Sequence, residues 1–352
     1  MNLTFRSMNS GEAPELKKLA QKAFGPIEGL FVTKPETALV AVYDEKPVGG
    51  FMYQIEMIGG RKIGFVSFLF TDPALQGQGI GKQLCGEGFR HLWEEGCDAL
   101  VTFIRDDNVA SWATFVKHGF VMASIPKMLS FFGLSELAKL YIKTKYGVFS
   151  IGHDFYIALR DEKSTSVFKK EGGPGQIIAY ILINTLLFLP FILRAQSVLS
   201  VITSSAFIFF GIALAGYIGT VFSKQKWNFR FTSGGGLLYL AINAAPGIFF
   251  PLIGSWYPAR YENTPVFRRD VAINVIAVWA FLLGITTADI FTGGFPLYLN
   301  YASQLATTLL VLKCLPVPVF ESTGFGRVFK WNKLAFVLLA SASIFIFVSP
   351  LF

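Results

Sequence analysis

The sequence predicts an α+β domain with a mostly antiparallel sheet over residues 1–162, a linker over 163–175, and an all-α transmembrane domain over 176–352. Three observations predict it. The 352 residues exceed what one hydrophobic core usually organises. A mean hydropathy of +0.50 with 15% charged residues suits neither a wholly soluble nor a wholly lipid-buried chain. Most acidic residues lie before Glu171, whereas long charge-free stretches follow it. The chain is therefore read as folding against two solvents.

Leu3–Arg6 reads as a short strand, and Ser10 or Gly11 precedes a helix through about Ala23, with Leu16, Leu19, Ala20 and Ala23 on one face. Thr37–Tyr43 and Pro47–Glu56 are strand-like runs around the turn "DEKP", and "GGRK" at Gly59–Lys62 leads into Ile63–Thr71. A glycine-rich loop, a helix to about Glu95, a strand Ala99–Ile104, a helix Asn108–His118 and strands near Phe120–Ala123 and Phe149–Leu159 complete the domain. Between the last two, Pro126–Val148 contains a helix that Ser135 would cap and Gly147 would end. Leu137, Leu140 and Tyr141 share one face, and with its basic flank the segment suits a bilayer surface or the domain's own sheet.

The loop "LQGQGIGKQL", Leu75–Leu84, places unpaired backbone N–H groups and a helix dipole at one point, which suits phosphate. Its glycines, Gly77, Gly79 and Gly81, alternate, so the spacing is not G-x-G-x-x-G, and no Walker lysine-serine pair follows. A nicotinamide cofactor or a nucleoside triphosphate is disfavoured. Gln76-Gly77-Gln78-Gly79-Ile80-Gly81 instead resembles the Q/R-x-x-G-x-G/A signature of the GNAT acetyltransferase superfamily. Downstream, "NVASWATFVKHGF" at Asn108–Phe120 is similar to that family's N-x-x-A-x-x-x-Y-x-K-x-G-F element. The resemblance covers roughly Leu3–Arg160 and makes the first domain GNAT-like.

It implies that the amides of Gln76, Gly77, Gln78, Gly79, Ile80 and Gly81 hold the pyrophosphate of acetyl-CoA, the acyl donor. The strand at Phe68, Leu69 and Phe70 would pair with the pantetheine arm, and Asn108, also a good helix N-cap, would help seat the donor. Acyl transfer to an amine needs a proton acceptor for the ammonium and a proton donor for the thiolate. Phe115 stands where the family often has a tyrosine acid, and Ile63–Thr71 carries no carboxylate. Catalytic candidates are therefore Glu56, Asp106 and Tyr156, with His153 beside the last.

In the second half, Gln176–Leu193, Val198–Phe222, Val271–Ala288, Pro296–Leu312 and Leu334–Phe352 are long enough to cross hydrocarbon, and none contains lysine or arginine. Leu237–Gly254 is broken by Pro246-Gly247 and Pro251. If it crossed fully, Arg260, Arg268, Arg269, Lys313, Arg327, Lys330 and Lys333 would lie outside. If it returns on one side they join Lys224, Lys226 and Arg230 in the cytosol, and only Arg194 lies outside. Five crossings plus one broken or re-entrant segment, with the first domain on the cytoplasmic side, follow as expectations.

"AINAAPGIFFPLIG" with "LPVPVFESTGFGRVF" faintly resembles site-2-type intramembrane metalloproteases. The zinc ligands are lacking, since histidine occurs only at His91, His118 and His153, and Glu321 replaces the expected aspartate only approximately; no metal site is expected. Asn184, Asn243, Asn274, Asp289, Gln304 and Glu321 are polar at membrane depth. The charged group Arg260, Glu262, Arg268, Arg269 and Asp270 suits a cytosolic mouth, lipid phosphate or topology anchoring, and Gly234–Gly236 a close approach or a loose loop. Cys85, Cys97 and Cys314 have no metal-ligand or disulfide spacing, and no cleaved signal is visible.

The charge of +8 is not gathered into a nucleic-acid-binding stripe. The expected function is a multi-pass, membrane-anchored N-acetyltransferase in contact with membrane lipids. Its acceptor would be an amine of a protein, a lipid or a small molecule. A catalytically weak acyl-CoA sensor and a transporter with a modifying domain are the alternatives.

Overall fold

The computed structural model describes residues 3–105, 108–145, 152–161, 173–188, 197–223, 225–234, 242–243, 249–259, 264–314 and 324–348. Asp106, Gly147, Arg194, Lys224, Gly235, Gly236, Arg260, Glu262, Glu321 and most of the broken run at 237–254 lie outside them. The chain divides into two compact units, Met1–Lys170 and Glu171–Phe352.

The first unit is built on a seven-stranded mixed sheet. Its strands are β1 (Leu3–Ser7), β2 (Thr37–Tyr43), β3 (Lys46–Ile58), β4 (Arg61–Thr71), β5 (Ala99–Ile104), β6 (Val121–Met122) and β7 (Asp154–Leu159), in the order β1-β2-β3-β4-β5-β7-β6. Pairing is antiparallel except between β4 and β5, which are joined by a helical crossover and run parallel. The β2–β3 hairpin turns on Asp44 and Glu45 and the β3–β4 hairpin on Gly59 and Gly60, all at positive φ, as two-residue turns that match strand twist require.

Helices cover both faces. On one, α1 (Ala13–Glu28) buries Leu16 and Ala20 against Val40, Val42, Met52 and Phe70. On the other, α2 (Ile80–Glu94) and α3 (Val109–Lys117) pack Leu84, Phe89 and Phe115 against Phe51, Leu100, Phe120 and Tyr156. The inserted segment holds two helices rather than one, α4 (Ile125–Phe132) and α5 (Leu134–Lys143), separated by Gly133. Ser135 sits inside α5 and does not cap it, because Gly133 already occupies the cap position.

The second unit contains α6 (Pro174–Phe188), α7 (Val198–Val221), an antiparallel pair of β8 (Trp227–Phe231) and β9 (Gly254–Pro258), α8 (Pro265–Thr292), α9 (Ala302–Cys314), α10 (Gly326–Trp331) and α11 (Lys333–Val348). Among the described residues two helices, α7 and α8, are long and apolar enough to cross a membrane, at mean hydropathies of 2.2 and 2.1. Helix α8 begins before the expected Val271: Thr264 caps it, accepting from Phe267 N at 3.1 Å, and Pro265 opens it. The run at Pro296–Leu312 divides into a short turn, Leu297–Leu299, and α9.

The α7–α8 contact is close because glycines line it. A Cβ on Gly219 would lie 2.7 Å from Asn274 Cα, and one on Gly216 would lie 3.4 Å from Asn274 Nδ2. Several buried polar groups of the unit are bonded within it. Asn274 Nδ2 donates to Gly216 O at 2.6 Å, Trp256 Nε1 to Ala213 O at 2.7 Å, and Asn184 Oδ1 accepts from Leu252 N at 2.8 Å.

Candidate functional site

The site forms where β4 ends and α2 begins. Asp72 fixes the approach: its Oδ1 accepts from Ala74 N at 3.0 Å and from Lys22 Nζ at 2.9 Å, while Asp72 N donates to Val48 O at 2.8 Å. Those donors, the Ala74 amide foremost, hold the Asp72 carboxyl below the usual carboxylate range. After the short turn Pro73–Leu75, Gly77 and Gly79 adopt φ of +83° and +78°. A Cβ on either would meet nothing within 4 Å, so backbone conformation rather than internal crowding demands glycine there. The space before the loop is open.

Helix α2 then starts on Gly79, whose carbonyl accepts from both Lys82 N and Gln83 N at 3.1 Å. Gln76 N donates to Pro73 O at 3.5 Å. Among the described residues, no acceptor meets the amides of Gly77, Gln78, Gly79, Ile80 or Gly81. Ile80, Leu84 and Cys85 are buried and anchor the helix. Five successive N–H groups without a protein acceptor, at the positive end of a fifteen-residue helix, are the kind of cradle that suits an anion.

A second feature adjoins the cradle. The β4–β5 ladder runs from Ile63↔Ala99 to Val66↔Thr102 and stops, although β4 continues pairing with β3 to Thr71. The cause is a bulge: Met52 opposes Phe68 while Tyr53 opposes Val66, leaving Ser67 as an extra residue that bends β4. Ser67 Oγ donates to Met52 O at 3.2 Å, and Thr102 Oγ1 donates to Val66 O at 2.9 Å at the last paired rung. The β4 backbone beyond Val66 thus presents an unpaired edge toward β5. Side chains of the predicted strand residues serve the core: Phe70 is buried with α1, Phe68 meets Phe24 at 5.7 Å, and Leu69 packs on the opposite side.

The catalytic candidates are dispersed. Tyr156 is buried on β7 opposite Thr102, at the level where the ladder ends. Glu56 opposes Ile63 at the other end of β4, roughly 26 Å along the strand from Thr71 at about 3.3 Å per residue. Its Oε2 accepts from Lys143 Nζ at 2.9 Å. Asp106 lies outside the described residues, and His153 precedes the fully buried Asp154. Asn108 caps α3, its Oδ1 accepting from Ser111 N at 3.3 Å. Phe115 is buried, with its ring centroid 5.0 Å from those of Phe89 and Phe120. Alongside α2, an open depression of about 690 Å³ is lined by Gly86, Phe89, Arg90, Trp93, His118 and Arg160. Burial, with Lys82 nearby, holds the His118 imidazole below its ordinary value. Cys85 is buried, and burial pushes its thiol up.

Residues 5–120 match the acetyltransferase (GNAT) family. The matched stretch includes the cradle, the bulged strand and α3. The chain is 32% identical over 102 residues to a mycothiol acetyltransferase of Saccharomonospora viridis, covering 29% of this chain and 28% of that protein. It is 37% identical over 62 residues to one of Amycolatopsis mediterranei (18% and 21%) and 29% identical over 111 residues to one of Catenulispora acidiphila (32% and 33%). The chain spans about a third or less of the length of these curated relatives. A GNAT family acetyltransferase from Brucella melitensis, solved in complex with acetyl-CoA, aligns at 24% identity and a TM-score of 0.28, over 32% of this chain and 81% of that one.

The sequence singles out the glycine loop but not Ser67, Asp72 or Thr102. The aspartate-proline pair before the loop signals a turn. A bulge depends on pairing between distant strands and leaves no local mark.

Proposed function

We propose that this chain is a membrane-anchored N-acetyltransferase, with acetyl-CoA as donor and an amine as acceptor. The observation that carries this is the row of five unpartnered amides beside the open β4 edge. Together they offer a pyrophosphate cradle and a strand-like groove for the pantetheine arm, in one continuous path. In this reading the amine nitrogen attacks the thioester carbonyl, the C–S bond breaks, and sulfur leaves with the bonding pair and takes up a proton. The ammonium proton passes to a base.

Of the three candidates, Tyr156 has the position that suits protonation of the thiolate, next to the last β4–β5 rung. Asp106, directly beyond β5, is the candidate base, and Glu56 would act only after release from Lys143. The embedding of residues 176–352 is supported by outward apolar stripes, Ile178, Leu182 and Leu186 on α6 and Phe210, Leu214, Tyr217 and Val221 on α7. Five crossings, a broken segment at 237–254 and a cytoplasmic first unit remain the proposed topology. The relatives bear the name mycothiol acetyltransferase, so a small-molecule acceptor joins lipid and protein amines on the panel.

The test is incubation of purified protein and membranes with isotopically labelled acetyl-CoA, followed by mass spectrometry. Labelled N-acetyl product is expected. If acetyl-CoA gives neither product nor a calorimetric binding signal, the reading is overturned. Binding without product across the amine panel would favour the acyl-CoA sensor, which Phe115, packed among aromatic rings and unable to donate a proton, also favours.

A further inference from the structure

The described part of the first unit exposes five large apolar side chains, of which Met57 (57% exposed), Leu134 (63%) and Ile142 (75%) adjoin one another, while Leu30 (77%) leads into a segment that also reaches α5. Leu134 and Ile142 lie two i,i+4 steps apart on α5, beside the stripe of Leu137, Leu140 and Tyr141 that α5 buries. The β3–β4 turn abuts this helix. Lys143 Nζ donates to Met57 O at 3.4 Å, and a Cβ on Gly59 would lie 3.2 Å from Glu136 Cγ. Lys145 Nζ meets Glu36 at 3.0 Å, which brings the segment after Leu30 to the end of α5.

The charge around these side chains has one sign left over. Glu36, Glu56 and Glu136 are each bonded to a lysine, Lys145, Lys143 and Lys139. Exposed Lys34 adds to them, as does Arg61, whose guanidinium lies 4.2 Å from the Phe131 ring centroid. Exposed apolar side chains set among basic ones are how a protein surface addresses an anionic lipid interface: the hydrocarbon enters the headgroup layer and the cations meet phosphate. Distance also favours that occupant, because the chain between Asp161 and Gly173 can reach at most about 40 Å.

We propose that the face bearing Leu30, Met57, Leu134 and Ile142 docks on an anionic bilayer surface. This rests on the reading that the second unit is membrane-embedded. Docking orients the first unit, so that a lipid-borne amine meets it at a fixed attitude and a raised local concentration.

The test uses the full chain reconstituted in vesicles, with a cysteine placed at Ile142 or, as control, at Val116, the fifth exposed apolar side chain, on α3. Each carries a fluorophore and is read against lipids bearing a nitroxide quencher, with the unsubstituted chain labelled in parallel for background. Quenching at 142 is expected to exceed that at 116 at least threefold in vesicles containing phosphatidylglycerol, and to fall at least twofold in 0.5 M salt. A double change, Leu134→Glu with Ile142→Glu, should remove protection of α5 from hydrogen exchange by vesicles. Flotation separates the underlying readings. Protein that floats with vesicles but shows equal quenching at both positions overturns the docking face and leaves the embedding intact. A probe at 142 that is shielded yet unquenched by lipid also overturns it, in favour of a protein partner. Protein that does not float overturns both.

Discussion

The two units treat polarity in opposite ways. In the first, Phe51, Phe65 and Phe155 are fully buried, and ion pairs such as Lys22–Asp72 and Arg90–Glu94 lie at the surface. In the second, Asn184, Ser204, Ser205 and Asn274 are buried, whereas Phe222, Phe291 and Phe345 are each more than 70% exposed. Burying amides and hydroxyls while exposing phenyl rings is costly in water and natural in hydrocarbon. If the second unit is embedded as proposed, helix-to-helix hydrogen bonds and glycine contacts hold it, while the hydrophobic effect holds the first. The contrast also predicts that damage to one unit's organising principle leaves the other intact.

The largest expected separation comes from Gly79→Glu. The substitution forces an L side chain into φ +78° and sets a carboxylate before the free amides. Acetyl transfer should fall at least about 100-fold in kcat/KM, equivalent to about 2.7 kcal/mol, with acetyl-CoA calorimetry flat and vesicle flotation unchanged. Labelling that persists at the wild-type rate would remove the cradle from its proposed role. The converse variant is Gly219→Leu, where backbone 2.7 Å away leaves no room for a side chain. It should destabilise the second unit by about 3 kcal/mol, seen as a lower Tm in detergent, while the acetyl-CoA Kd holds. A changed Kd would break the independence of the two units.

The smallest effect is electrostatic and confined to the first unit. Glu12 accepts two bonds from Arg6, at 2.6 and 2.8 Å, and one from Asn9 N at 2.6 Å, and these donors hold its carboxyl at about 2. Since an unfolded glutamate titrates near about 4.3, the stabilisation is complete above that pH and is lost as pH falls toward 2. Arg6 is about a third exposed, so screening limits the effect to about 1 kcal/mol. Glu12→Gln should therefore lower stability by that amount at pH 7 and by nothing measurable near pH 2, in denaturant titrations at each pH. An equal loss at both would mean that shape, not charge, sets the contribution.

What could be read from the sequence follows from the range of the interactions involved. Glycines that need positive φ, a helix start and two hairpin turns are local, and Gln76–Gly81, Asp44-Glu45 and Gly59-Gly60 announced themselves. The apolar runs were visible, but the start of α8 was obscured because Arg268, Arg269 and Asp270 interrupt hydrophobicity without interrupting helix, and the signal that mattered was Thr264-Pro265. The antiparallel pairing of β8 with β9 is not legible in the sequence because the strands are short and far apart in the chain. The widest gap concerns the site's second half. Ser67 is the one polar side chain in "GFVSFLF", but that does not mark it as an extra residue, since its extra place exists only relative to Met52 and Tyr53 on another strand.

The rung at Val66 and Thr102 has one more effect. An unfinished sheet edge is ordinarily a hazard, because it invites a neighbouring polypeptide to complete the ladder and so begins aggregation. Here the unpaired stretch lies inside the sheet, with β3 on one side of β4 and β5 on the other. Its free hydrogen-bonding groups therefore face another strand of the same domain, and β4 offers no outermost edge for a second copy of the chain to extend.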